Sequence, residues 1–206
     1  MAFPLYALVA AAILALSHGA VAGVPAPLQQ MAPALTAAQR FRSTTHVTTG
    51  TGDTAQTTVV RQGRTLWVDV VTTTGGAQPQ VVENVEIDRG AAGQRFCLRF
   101  GHGAWTCSTG TGSGAAGSYD APTQLLQPLR TGVRWANLGQ KTVRGYLCQG
   151  YRVSSDATGQ EATLWIDRAT HRPVLLVGQT PARPHAVTTT VTWSDWNDRT
   201  LTVPKV

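Results

Sequence analysis

Between residues 41 and 196 the chain keeps returning to one pattern. Short runs of valine, threonine and tryptophan alternate with period two, and turn-forming residues separate them. Alternation at that period sends successive side chains to opposite faces of a strand. The runs follow one another at hairpin distance with no helical crossovers, which argues against a parallel α/β sheet. Expected strands cover 41–49, 56–61, 64–71, 80–88, 133–139, 142–154, 161–167, 172–179 and 186–196, with a terminal LTVPKV. Adding a hairpin over 94–107 gives about ten or eleven antiparallel strands, a mainly β (α+β) chain whose meandering sheet curls into a full or partial barrel.

The faces of these strands differ in character. Leu66, Val68 and Val70 share one side of RTLWVDVV, opposite Thr65, Trp67 and Asp69. Leu164 and Ile166 oppose Thr163, Trp165 and Asp167, and Val187, Val191 and Trp193 share a side in the last strand. One aliphatic and one mixed face fit a sheet with one dry side. Helix is scarce. A short one is expected from about Ala34 to Arg40, after a stretch broken by Pro25, Pro27 and Pro33. A second is expected over 118–129, with Asp120 as N-cap, Pro122 in the first turn and Pro128 at its end.

Three cysteines remain to be placed. If Gly101-His102-Gly103 is a hairpin tip, Cys97 lies opposite Cys107 at a distance a disulfide can bridge. Cys148 is left either to pair with one of them or to pack as a small hydrophobe. Neither CxxC pairs nor paired histidines occur, so no metal site is expected.

Residues 1–22 carry no charge, contain an apolar run from Ala7 to Leu16, and end in Ala20-Val21-Ala22. That is the pattern of a secretory signal cut after Ala22, or of an N-terminal anchor if it is retained. No cysteine stands near the cut, so there is no lipobox. The expected organisation is 1–22 signal, 23–40 N-terminal segment with a short helix, and 41–206 the β domain, in an exported protein. The net charge of +6 rests on fifteen arginines that stand singly, with only Lys141 and Lys205 beside them. A nucleic-acid surface clusters its basic residues on one element, so no nucleic-acid partner is expected.

Catalytic and cofactor motifs fail when their mechanics are asked for. GSGAAG (112–117) matches G-x-G-x-x-G, yet a dinucleotide site needs a parallel βαβ unit and an acidic residue about 20 positions on. No Asp or Glu occurs from Ala121 to Ser155. Ser113 lacks the G-x-S-x-G elbow, and His46, His102, His171 and His185 are scattered at turns and strand ends. No catalytic residue, cofactor or enzymatic activity is expected. Asp69 and Asp167 end similar strands and would have to meet in space to act together. ATLWIDRATHRPVLL (162–176) reads as hairpin punctuation: Asp167 ends a strand, residues 168–171 turn, and Pro173 opens the return strand. The six tryptophans either pack the core or line an apolar ligand site.

In this order VRGYLCQGYRV, ATLWIDRATHRPVLL and VTTTVTWSDWNDRTLTVPKV, together with YDAPTQLL, resemble the lipoprotein-carrier (LolA/LolB-like) superfamily. The chain looks closest to the LppX/LprAFG type of exported lipoproteins. The resemblance implies an open, strongly curved antiparallel half-barrel with one or two short helices over its concave face. It implies a non-enzymatic carrier of an apolar ligand, lipid or lipoprotein acyl chains, with a membrane-surface or envelope protein as partner. Leu66, Val68, Leu164, Ile166, Val187 and Val191 are then the expected lining. The alternative is a structural or sensory module of the same fold with no transported ligand.

Overall fold

A computed structural model describes residues 25–89, 93–110, 133–155, 160–180 and 185–206. Its elements are α1 (Ala26–Ala37), β1 (Arg40–Thr49), β2 (Thr54–Gln62), β3 (Thr65–Thr73), β4 (Gln80–Asp88), β5 (Gln94–Phe100), β6 (Thr106–Gly110), β7 (Val133–Val143), β8 (Tyr146–Ser155), β9 (Gln160–Asp167), β10 (Pro173–Thr180) and β11 (Val187–Ser194). The expected signal at 1–22, the glycine run at 112–117 and the helix at 118–129 lie outside the described residues.

The eleven strands form one curved, unclosed antiparallel sheet in the order β6-β5-β4-β3-β2-β1-β11-β10-β9-β8-β7. Every neighbouring pair but one is a sequential hairpin. The exception is the seam where β11 returns beside β1, with Ser43 opposite Trp193 and Thr45 opposite Val191. The antiparallel meander is the one expected from the alternation, and the open half-barrel is the one the resemblance implies.

The helix differs from expectation. It begins at Ala26, earlier than Ala34, with Pro27 in its first turn and Pro33 inside it. Proline is at home in a first turn because that N–H has no helical partner. Pro33 removes one interior bond, but Leu28, Met31 and Leu35 bury on the sheet and offset the loss. They pack with Phe41, Tyr151, Leu164, Ile166, Leu176, Val191 and Trp193, and with Trp135 and Trp196 at the margin. The face bearing α1 is called inner here, the opposite one outer.

The second difference is the β7–β8 hairpin. A break was expected after Gly139, but β7 runs on to Val143 and turns at Arg144-Gly145, both at positive φ. Gly139 (φ 78°) sits at a register shift, where Asn137 faces Tyr151 and Gly139 faces Gly150. A glycine in that conformation serves a bulge as well as a turn.

The third is the C-terminus. Residues 201–206 form no strand. They run as a strap across the outer side of the first half-sheet, held at three points. Arg40 donates to the Arg199 carbonyl (2.8 Å), Val203 N–H donates to Gln62 Oε1 (3.3 Å), and Arg95 donates to the Val206 carbonyl (3.3 Å). Arg40, Gln62 and Arg95 belong to one transverse row through β1, β2, β3, β4 and β5. Leu201, the first residue of the strap, is buried.

Candidate functional site

The Asp167–His171 stretch resolves as a turn. Asp167 N–H donates to the Arg172 carbonyl, and His171 N–H donates to the Asp167 carbonyl, both at 2.9 Å. The Asp167 carboxylate accepts from the Thr170 hydroxyl and from Ala169 N–H, so its oxygens are occupied by its own loop. His171 takes φ 56° to close the turn. Asp69 and Asp167 do not meet, because β2, β1, β11 and β10 lie between their strands.

The six expected lining residues all fall on the inner face by alternation and register. Leu164, Ile166 and Val191 are buried in the cluster with α1. Val68 is fully buried in the other half of the sheet, paired with Val59 and Asn84, while Leu66 and Val187 are half-buried. The face is less dry than the sequence implies. Trp193, Ser43, Val59, Val68, Asn84 and Leu98 form one transverse row. In it Ser43 Oγ, Asn84 Oδ1 and Trp193 Nε1 are buried without hydrogen-bond partners. Buried polar atoms are nearly always paired, and each orphan is destabilising by about 1–3 kcal/mol.

The outer face carries a polar row instead: Thr192, Thr44, Thr58, Asp69, Glu83 and Arg99. Arg99 Nε donates to Glu83 Oε2 (2.6 Å), with Nη2 on the same oxygen, and its guanidinium lies 4.6 Å from the Trp105 ring centre. Burial, then the neighbouring Glu83 carboxylate, push the Asp69 carboxyl above its ordinary value, and Arg99 opposes this. The disulfide is the expected one: Cys97 and Cys107 are cross-strand partners with Cα atoms 4.1 Å apart. Cys148 is a buried free thiol packed with Val143 and Val174.

A cleft of about 270 Å³ opens where the start of α1 meets the ends of β8 and β9. Pro27, Gln149, Tyr151, Ile166, Asp167, Arg168 and His171 line it. Only Ile166 among them belongs to the expected lining. The others were illegible as a group, because Pro27, Tyr151 and His171 are far apart in sequence and only the β8–β9 register and the α1 docking join them. Among the described residues no cluster of three or more His, Cys, Asp or Glu is placed to hold a metal.

No protein-family model matches the chain, and no curated protein matches it. Solved structures do. The chain is similar to several of them at low identity. One is a LolA superfamily protein from Nitrosomonas europaea, with TM-score 0.31 and 9% identity over 86% of this chain and 93% of that one. Another is a DUF1329 family protein from Desulfovibrio piger, with TM-score 0.33 and 10% identity over 87% of this chain and 95% of that one. The MucA/MucB complex of Pseudomonas aeruginosa gives TM-score 0.38 and 15% identity over 82% of this chain and 56% of the matched one.

Proposed function

We propose that this chain is an exported, non-enzymatic carrier or binding protein for an apolar ligand, of the LppX/LprAFG kind its sequence resembles. Acyl chains of a lipid or lipoprotein lie against the inner face, and a membrane surface or an envelope protein delivers or receives them. The observation that carries this reading is the placement of Leu66, Val68, Leu164, Ile166, Val187 and Val191 on one face of an open sheet. Each buried methylene contributes about 0.8 kcal/mol, so ten give roughly 8 kcal/mol before the entropy of association is subtracted. The Cys97–Cys107 disulfide fits an oxidising, extracytoplasmic compartment. Among the described residues no helix is long and apolar enough to cross a membrane.

One observation favours a second reading, a structural or sensory module. Leu28, Met31 and Leu35 of α1 already cover Leu164, Ile166 and Val191, so the fold fills part of the face itself. Native mass spectrometry of the protein purified from a bacterial host, followed by uptake of a fluorescent fatty acid, separates the two. The carrier reading expects a co-purified lipid mass or saturable uptake, and loss of both in Leu66→Asp. A lipid-free mass with no uptake sinks it and leaves the module.

A further inference from the structure

The cleft at the start of α1 is chemically unlike the aliphatic inner face. Tyr151 is only 4% exposed, yet its phenol makes no hydrogen bond among the described residues. The residue lines the cleft, and its oxygen is not among the fully enclosed, unpartnered polar atoms of the described residues. A buried hydroxyl without a partner is destabilising unless something polar comes to meet it. Burial pushes the phenol upward, so at neutral pH it remains a proton donor.

Basic side chains around the cleft outnumber its single carboxylate, Asp167. Arg168 and His171 stand on its wall, and Arg168 is exposed and held by Gln140 Oε1 (2.8 Å). The one carboxylate on the wall, Asp167, is occupied by Thr170 and Ala169. Residues 133–153 contain no acid, and Asp167 is the only one in 162–180. Arg168 N–H donates to the Leu147 carbonyl (3.1 Å) and joins the cleft to the β7–β8 tip, where Lys141 and Arg144 are exposed. The positive end of the α1 dipole lies at the same place, with no acidic side chain in its first turn.

Size limits the ligand. About 270 Å³ falls below the roughly 300–1,000 Å³ of sites that enclose a whole drug-sized molecule. It is room for a charged group and a few waters of about 30 Å³ each.

We propose that this cleft binds the oxyanion headgroup, phosphate or carboxylate, of an amphiphile, with Arg168 and His171 facing its charge and the Tyr151 hydroxyl donating to one oxygen. The amphiphile's tail rests on the carrier reading above; the oxyanion site does not. An ionised acceptor strengthens the Tyr151 bond, and Arg168 supplies the planar donor suited to such groups.

The test is calorimetric titration of the full chain with inorganic phosphate, short-chain phosphatidic acid and the matching neutral diacylglycerol. Phosphatidic acid should bind most tightly, and Tyr151→Phe and Arg168→Gln should each weaken it about tenfold or more. Both variants should leave the diacylglycerol affinity unchanged, and neither should lower the melting point. Inorganic phosphate binding as tightly as phosphatidic acid, with the same loss in both variants, supports the site with a free anion as its ligand. If phosphate binds while neither amphiphile does better, the carrier reading fails and the oxyanion site stands. If the amphiphiles bind equally and neither variant matters, or if no anion binds at all, the oxyanion site is overturned and the carrier reading is untouched.

Discussion

Trp165 lies flat across Gly150, its cross-strand partner. A Cβ built on Gly150 would stand 2.6 Å from Trp165 Cζ3 and 2.7 Å from Cη2. Here the glycine is a seat for an indole. The ring covers the strand where a side chain would otherwise stand, and Lys141 reaches over it with Nζ 5.7 Å from the ring centre. Gly150→Ala is therefore expected to destabilise the fold by about 1–3 kcal/mol, because the ring and its packing against Val174 and Cys148 must shift. Urea unfolding measures the loss. In a Trp165→Leu background the same glycine change should cost much less, and equal costs in both backgrounds would refute the seat.

Asp69 and Glu83 face each other on the outer row, with Arg99 beyond them. Asp69 has its carboxyl raised by burial and by Glu83. An acid that is weaker in the folded state holds its proton longer there, so it destabilises the fold at pH above its folded value. That penalty disappears as pH falls through the window down to the ordinary value of 3.8. Asp69→Asn should raise the thermal midpoint at pH 7, and the advantage over wild type should vanish near pH 4. Differential scanning calorimetry across that range reads both points.

Arg99 ties Glu83 in place from the other side. Removing it as Arg99→Met leaves a largely buried carboxylate beside Asp69 and should cost about 1–3 kcal/mol. The change should also shift Trp105 fluorescence, since the guanidinium covers that ring. An unaltered spectrum would mean that the stacking does not persist in solution.

Cys148 is buried, and burial followed by the Asp167 carboxylate raises its thiol. Thiols react as thiolates, so Cys148 should be slow towards aromatic disulfide reagents at pH 8 in the native protein. Unfolding without reductant should release one reactive thiol, and unfolding with reductant three. Reducing Cys97–Cys107 alone should cost about 2–3 kcal/mol from loop closure over so short a span.

The strap can be cut away. Stopping the chain after Thr200 removes Leu201, which is buried, and the bonds to Gln62 and Arg95. The expected loss is about 2–5 kcal/mol, the range for deleting a buried leucine. Hydrogen exchange should localise the loosening to β1–β5 and spare β8–β10. Uniform loosening over both half-sheets would refute the strap.

What the sequence disclosed follows from how local each signal is. The faces of β3, β9 and β11, the disulfide and the Asp167 turn were legible, because alternation and hairpin geometry act within a few residues. The β7–β8 turn was misplaced because Gly139 and Gly145 both carry positive φ, and glycine identity alone does not separate a bulge from a turn. The start of α1 was missed because its prolines read as breaks, whereas Leu28, Met31 and Leu35 find most of their partners more than 100 residues away. The cleft was hidden because the β8–β9 register brings Arg168 and His171 to Tyr151, and only the docking of α1 adds Pro27.

The seam between β1 and β11 has a bearing on how such a molecule is made. Thr192 donates to the Thr44 carbonyl across 148 residues of chain, while the other strand pairs are nearest neighbours in sequence. A polypeptide growing from its amino end lays down β1 early and must wait for almost all of the rest before that strand gains its second neighbour. Until then the threonine-rich edge of β1 offers unpaired amides to any extended chain nearby. Nascent or prematurely terminated copies are thus the vulnerable population, with self-association directed to one known edge.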